Sequence, residues 1–126
     1  MAEVILNGIK KDFGKSTVIN NVSIEIKEGD FCVFVGPSGC GKSTLLRIIA
    51  GLETPTNGSI IINSKDVTSV DPANRGIGMV FQNYALYPHM TVEENMSFGM
   101  RMNNAPKIEI KKKVQEAAKI LQLSDL

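Results

Sequence analysis

The sequence predicts an α/β fold, and three features of its first fifty residues support this assignment. Residues 22–26 alternate apolar and polar side chains, which is the period-two pattern of a half-buried strand. Residues 31–35 are apolar at every position, which favours a strand covered on both faces in a parallel sheet. A glycine-rich loop follows directly, and residues 42–50 then continue as an apolar helix. The sequence therefore predicts strands before one loop and a helix directly after it.

Shorter patterns predict the remaining elements. Residues 3–9 predict a first strand, and residues 59–62 and 77–81 predict two more. Thr91 and Glu94 have the spacing of a capping box, so a helix is expected to begin there. The last segment predicts an amphipathic helix whose apolar stripe is formed by Ile110, Val114, Ala117 and Leu121.

Composition excludes several classes of protein. The chain has 126 residues, of which 43% are hydrophobic, as is typical of one globular domain. Its net charge of +1 argues against nucleic acid as a partner. No apolar run approaches the roughly 18 residues of a membrane span, and the N-terminus lacks the pattern of a signal peptide. Two cysteines, Cys32 and Cys40, are too few for a disulfide framework, so we expect a cytoplasmic protein.

Residues 36–43 match G-x-x-x-x-G-K-[ST], the phosphate-binding loop. Glycines let such a loop turn its N–H groups towards a phosphate, and the following helix adds its positive end. Lys42 is expected to contact the β- and γ-phosphates, Ser43 to join the shell of a Mg²⁺ ion, and Thr44 to lie near the α-phosphate. The alternative, a glycine-rich turn with an incidental lysine, is disfavoured by the strand before the loop and the helix after it. The predicted nucleotide-binding residues of the loop are Gly36, Pro37, Ser38, Gly39, Cys40, Gly41, Lys42, Ser43 and Thr44.

The residues around this loop point to one family. Residues 36–52, GPSGCGKSTLLRIIAGL, and residues 76–99, GIGMVFQNYALYPHMTVEENMSFG, closely resemble the ATP-binding subunits of ABC transporters. Within that family the sequence is most similar to importers of maltose, sn-glycerol 3-phosphate and related sugars. The resemblance implies a P-loop NTPase fold of the ABC ATPase type, with an antiparallel β-subdomain, part of a parallel core and the start of a helical subdomain. It places the first two in about residues 1–87 and the third in about residues 88–126.

The resemblance also implies roles for residues outside the loop. Phe13 takes the position of the aromatic ring that stacks on adenine, where the family more often has Tyr or Trp. Val18 is implied to line the same pocket. Gln82 matches the glutamine that reaches Mg²⁺ and the attacking water. The implied catalytic residues are therefore Lys42 and Gln82, and the implied metal ligands are Ser43 and Gln82.

Partners follow from the same resemblance. Residues 84–90 resemble the surface that receives a short helix of the membrane permease, although residues of these types more often simply pack. The resemblance implies that ATP binding and hydrolysis drive import of a sugar or glycerol phosphate. A dimer of ATPase subunits would do this, bound to permeases at the inner face of the cell membrane.

Several elements of the family are missing from this sequence: the signature segment, an apolar strand ending in Asp-Glu that carries the general base, and a later switch histidine. We therefore expect the chain alone to hydrolyse ATP negligibly, and expect residues 31–35 to have open strand edges. A truncated reading frame, a gene fragment and one piece of a split product all fit this pattern. Two other functions stay open: a fragment that binds ATP or a permease without catalysis, and a P-loop enzyme outside transport.

Overall fold

The structure is a computed structural model, and it describes residues 2–83 and 86–123. The chain forms two compact units, Met1–Val80 and Phe81–Leu126. None of the helices in the described part of the chain combines the length and the apolar character that crossing a membrane requires.

The first unit contains a four-stranded antiparallel sheet. Its strands are β1 (Val4–Phe13), β2 (Ser16–Ile26), β3 (Asn57–Ile62) and β4 (Lys65–Asp66), in the order β2-β1-β3-β4. The predicted strands at 3–9, 22–26 and 59–62 are confirmed, and all three are longer than their patterns indicated. β1 and β2 form a hairpin in which Phe13 lies opposite Ser16.

One face of this sheet packs against α1 (Lys42–Ala50). The side chains of Ile9, Ile48 and Ile60 are completely buried between the two layers. This packing uses one side of α1, because Leu45 and Ile48, which belong to the core cluster, are three positions apart and therefore neighbours on the helix surface. The core cluster consists of Leu6, Ile9, Ile19, Leu45, Ile48, Ile60, Ile62 and Val67.

Two predicted strands are wrong. Residues 31–35 and 77–81 belong to no strand of the described structure, and no parallel pair of strands occurs in residues 2–83 and 86–123. Phe31 is 94% exposed and Val80 is 98% exposed, so these side chains are not covered as a parallel core would cover them. The physical reason is that a strand is held by hydrogen bonds to a neighbouring strand, and apolar character alone does not supply that neighbour.

The second unit contains α2 (Val92–Met102) and α3 (Lys107–Ile120). The predicted capping box is confirmed: the Thr91 hydroxyl accepts from the Glu94 N–H at 3.2 Å, and the Thr91 N–H donates to the Glu94 carboxylate at 2.8 Å. In the predicted stripe of the last helix Val114 is buried, whereas Leu121 lies just beyond α3 and is exposed.

Candidate nucleotide-binding site

The candidate site is the loop that leads into α1. The helix is preceded by Gly41 in the left-handed conformation, with a φ of 93°, and no side chain caps its first N–H groups. Its first turn also contains no acidic residue. Because the first N–H groups of a helix have no partner within the helix, this end offers donors and a positive dipole to an anion.

Lys42 places a positive charge inside this loop. Its Nζ donates to the carbonyl oxygens of Gly36 at 2.7 Å and Pro37 at 2.6 Å, and lies 3.4 Å from the Sγ of Cys40. None of these three partners is a carboxylate. An anion that entered the loop would therefore meet a positive charge that no carboxylate neutralises among these contacts.

Two glycines of the loop have no room for a side chain. A Cβ atom at Gly41 would lie 2.9 Å from the carbonyl oxygen of Val18, and one at Gly36 would lie 2.8 Å from the Sγ of Cys40. The strand β2 thus packs directly against the start of α1. A cavity of about 440 Å³ beside the loop is bordered by Val18, Cys40 and Lys42. Phe13 is not among its lining residues, so a base pocket shared by Val18 and Phe13 stays a prediction.

The donor set of this loop fits the phosphates of a nucleotide. Ser43 is exposed and Thr44 is half-buried in the first turn of α1. Two hydroxyl side chains therefore follow Lys42 directly in the sequence. Hydroxyl oxygens and phosphate oxygens are the kind of ligand that Mg²⁺ prefers. Together, the donors and the hydroxyls suit a magnesium-bound polyphosphate better than a simple anion.

Phe13 lies at the end of β1, and its side chain is 47% exposed. The ammonium of Lys11 lies 4.8 Å from the centre of its ring, and that ammonium also forms an ion pair with Glu53. The ion pair holds the pKa of the Glu53 carboxyl below its usual value. Sequence reasoning missed Lys11 and Glu53 because their meeting depends on how β1 lies against the segment after α1.

Gln82 is exposed and belongs to the second unit, whereas the loop belongs to the first. Its contact with Mg²⁺ and water stays a prediction.

Of the predicted docking segment, Tyr84 and Ala85 lie outside the described residues. The ring of Tyr87 packs on Phe98 with 4.6 Å between ring centroids.

Asn95 is a further residue that sequence reasoning missed. Its side chain accepts from the N–H of Tyr87 at 2.8 Å and donates to the carbonyl oxygens of Tyr87 and Met90, both at 3.1 Å. This one amide therefore holds residues 87–90 onto the start of α2. An asparagine inside a helix carries no sequence signal for such a role, since it more often faces solvent.

Arg75 was also missed, and it supports the far end of α1. Its buried guanidinium donates to four carbonyl oxygens, those of Ile48, Ile49, Thr68 and Val70. Burial lowers the pKa of this group. A cation at the C-terminal end of a helix satisfies unpaired carbonyls and opposes the negative end of the dipole, so Arg75 fixes α1 from the end opposite the loop.

The chain is similar along its whole length to ATP-binding proteins of import systems. It is 56% identical over 126 residues to the maltose/maltodextrin import ATP-binding protein of Vibrio cholerae, covering 100% of this chain and 34% of that protein. It is 55% identical over 127 residues to the sn-glycerol-3-phosphate import ATP-binding protein of Bordetella avium, covering 100% of this chain and 35% of that protein. The chain thus spans about a third of the length of the curated relatives it matches.

Among solved structures, the chain is similar to a dimeric ATP-binding cassette in a post-hydrolysis state, bound to ADP and Pi. The TM-score is 0.81 at 32% sequence identity, and the match covers 94% of this chain and 57% of that chain. This likeness confirms the predicted fold of the ABC ATPase type. The pattern of the ABC transporter family matches residues 19–126, and the chain therefore belongs to that family.

Proposed function

We propose that this chain is the ATP-binding part of an ABC importer ATPase. The observation that carries the proposal is the loop itself, in which the Lys42 ammonium rests on the carbonyl oxygens of Gly36 and Pro37 in front of an uncapped helix end. A triphosphate entering there would replace these bonds to neutral carbonyl oxygens with hydrogen bonds in which both the ammonium donor and the phosphate acceptor are charged.

Each predicted site residue has a role in this proposal. Lys42 binds the β- and γ-phosphates, Phe13 stacks on the base, and Ser43 and Gln82 hold the metal ion. When bound, Mg²⁺ neutralises phosphate charge and orients the phosphate oxygens for attack by water. Gln82 would orient that water through its amide, which both donates and accepts hydrogen bonds.

The activity of the whole protein is also a proposal. We infer that ATP binding and hydrolysis drive uptake of a sugar or a glycerol phosphate, because the relatives are named as import proteins for maltose/maltodextrin and sn-glycerol-3-phosphate. The partners would be membrane permeases, docked near residues 84–90 at the inner face of the membrane, and a second ATPase subunit. A boundary near residue 87 would then separate the nucleotide-binding part from the start of the helical subdomain.

Calorimetric titration with Mg-ATP tests the binding proposal. We expect saturable binding by the wild-type chain and a loss of at least about tenfold in Lys42→Ala, because a charge-assisted bond contributes about 1.5–3 kcal/mol. Lys65→Ala is the matched control, since Lys65 is exposed on β4 in the same unit and outside the loop. Circular dichroism would show whether each variant keeps its fold. Equal affinity of Lys42→Ala and the wild type would contradict the proposal.

A second candidate is an ATP-binding chain that does not hydrolyse ATP. It is favoured by the make-up of the loop, because residues 36–44 contain no carboxylate that could act as a general base. Phosphate release by the purified chain distinguishes the two. Steady turnover that disappears in Lys42→Ala would overturn this candidate. The family match over residues 19–126 argues against the remaining alternative, a P-loop enzyme outside transport.

A further inference from the structure

The side chain of Lys11 is unusually buried for a lysine near the end of a strand. It is only 12% exposed, and its ammonium has three partners. The Nζ lies 2.7 Å from a carboxylate oxygen of Glu53, 2.7 Å from the carbonyl oxygen of Thr54, and 4.8 Å from the ring centre of Phe13. A lysine is rarely covered to this extent unless its charge is paired.

These contacts tie the end of β1 to the segment that follows α1. Lys11 and Phe13 are two residues apart on β1, so their side chains lie on the same face of the strand. Glu53 and Thr54 follow directly after α1 and its terminal glycine. The Thr56 N–H donates to the Lys10 carbonyl at 2.7 Å and adds a backbone link between the same two segments. The ring of Phe13 is thereby held in a fixed relation to the helix that carries the phosphate loop.

The ammonium also changes what the ring can bind. A cation within about 6 Å of a ring centroid is attracted to the negative face of that ring and draws electron density towards itself. The face that remains for a ligand is then less electron-rich, which favours stacking of an electron-rich purine. Since one face of Phe13 is taken by Lys11 and nearly half of the side chain is exposed, a flat base has a defined place to stack.

We propose that Lys11, held by Glu53, is a positioning residue for the nucleotide base: it fixes and polarises the Phe13 ring on which the purine stacks. The inference rests on the proposed nucleotide site and extends it to the selection of the base. Lys11 would not touch the nucleotide, so its effect should be confined to ligands that carry a base.

Two ligands separate this role from a general structural one: Mg-ATP, and magnesium tripolyphosphate, which lacks the base and the sugar. We expect Lys11→Met to weaken ATP binding about three- to tenfold, the range expected when an aromatic stacking contact between the base and the ring is lost, and to leave the affinity for tripolyphosphate unchanged. Lys11→Arg keeps a cation that pairs with carboxylates and stacks on rings, and should bind ATP more tightly than Lys11→Met.

Lys10→Met is the matched control. Lys10 is the preceding residue and forms its ion pair with Asp12, at 3.0 Å, away from the ring of Phe13. The Lys10→Met variant should bind both ATP and tripolyphosphate with the affinity of the wild type. If Lys11→Met does not fold, Glu53→Gln replaces it as the test variant. It removes the ion pair with Lys11 but keeps the Lys11 ammonium. It should lower the affinity for ATP and leave the affinity for tripolyphosphate unchanged.

The outcomes are distinct. Unchanged ATP affinity in Lys11→Met, or in Glu53→Gln where that variant stands in for it, would overturn the inference and leave the nucleotide site intact. An equal loss for ATP and tripolyphosphate would also overturn it, since that result describes a structural residue. A wild-type chain that binds neither ligand would contradict the proposed function, and the inference would fall with it.

Discussion

The antiparallel sheet and the segments at 31–35 and 77–81 are both rich in apolar residues, yet only the sheet is ordered as strands. Ile9 on β1 and Ile60 on β3 are completely buried, whereas Val35 is 89% exposed and Val80 almost fully exposed. Apolar character is therefore not what separates the two regions. The difference lies in whether a hydrogen-bonding neighbour is present.

For β1 and β2 the neighbour is local. The two strands are separated by two residues, so pairing needs only a hairpin turn and a small loop-closure cost. A parallel strand cannot pair with a segment that follows it so closely, because a crossover connection must intervene. None of the described strands pairs with residues 31–35.

The largest expected effect comes from truncating one apolar side chain in each region. Ile9→Ala should lower the free energy of unfolding by about 2–5 kcal/mol, because it leaves a cavity in the core. Val35→Ala should change it by less than about 0.5 kcal/mol, because the side chain already contacts water. Urea denaturation followed by circular dichroism measures both. Similar losses would mean that the side chain of Val35 is packed in solution, and the contrast would fail.

A pair of glycines tests the same contrast through the backbone. Gly58 on β3 has a φ of 97°, and a Cβ atom there would lie 2.6 Å from the carbonyl oxygens of Asn7 and Gly8. Gly58→Ala should therefore cost more than about 1 kcal/mol of stability. Gly78→Ala, in the segment at 77–81, meets no atom within 4 Å and should be close to neutral. A cost at Gly78 as large as that at Gly58 would show that the segment is tightly held.

The same distinction between local and distant partners explains how much the sequence predicts. Alternation located β2, the loop motif located the start of α1, and the capping box located α2. Each of these signals lies within a dozen residues of the structure it predicts. The predictions of strands at 31–35 and 77–81 depend on apolar residues alone. Apolar residues do not indicate which other segment of the chain will pair with a strand or cover it.

The candidate site divides in the same way. The loop from Gly36 to Thr44 is a contiguous motif, so its geometry around Lys42 follows from local sequence. Lys11 and Glu53 are 42 positions apart and carry no motif, and Arg75 reaches carbonyls 26 and 27 positions away. The contacts of Lys11, Glu53 and Arg75 form only when β1, α1 and the segments after α1 lie side by side.

Helix α2 offers a smaller test of a locally encoded element. Thr91→Ala removes the hydroxyl that accepts from the Glu94 N–H, and should lower the stability of the helix by about 1 kcal/mol. Thr91→Ser keeps the hydroxyl and should lose much less. Thermal unfolding followed by circular dichroism measures both variants. Equal behaviour of the alanine and serine variants would show that packing, and not the cap, holds the start of α2.

The smallest expected effect is the pH dependence of the same cap. Hydrogen bonds from the backbone N–H and the side chain of Thr91 hold the pKa of Glu94 below its usual value. A carboxylate with a lowered pKa contributes stability above its unfolded pKa, near 4.3, and loses that contribution as the pH falls through the lowered value. Glu94→Gln can still accept from the Thr91 N–H but does not titrate.

The difference in thermal midpoint between the wild type and Glu94→Gln isolates this group, because every other carboxyl titrates in both proteins. We expect the difference to shift against the wild type below about pH 4, as Glu94 gains its proton. A difference that stayed constant down to pH 3 would mean that the Glu94 carboxylate does not bind the Thr91 N–H in solution. The start of α2 would then depend on contacts elsewhere in the second unit.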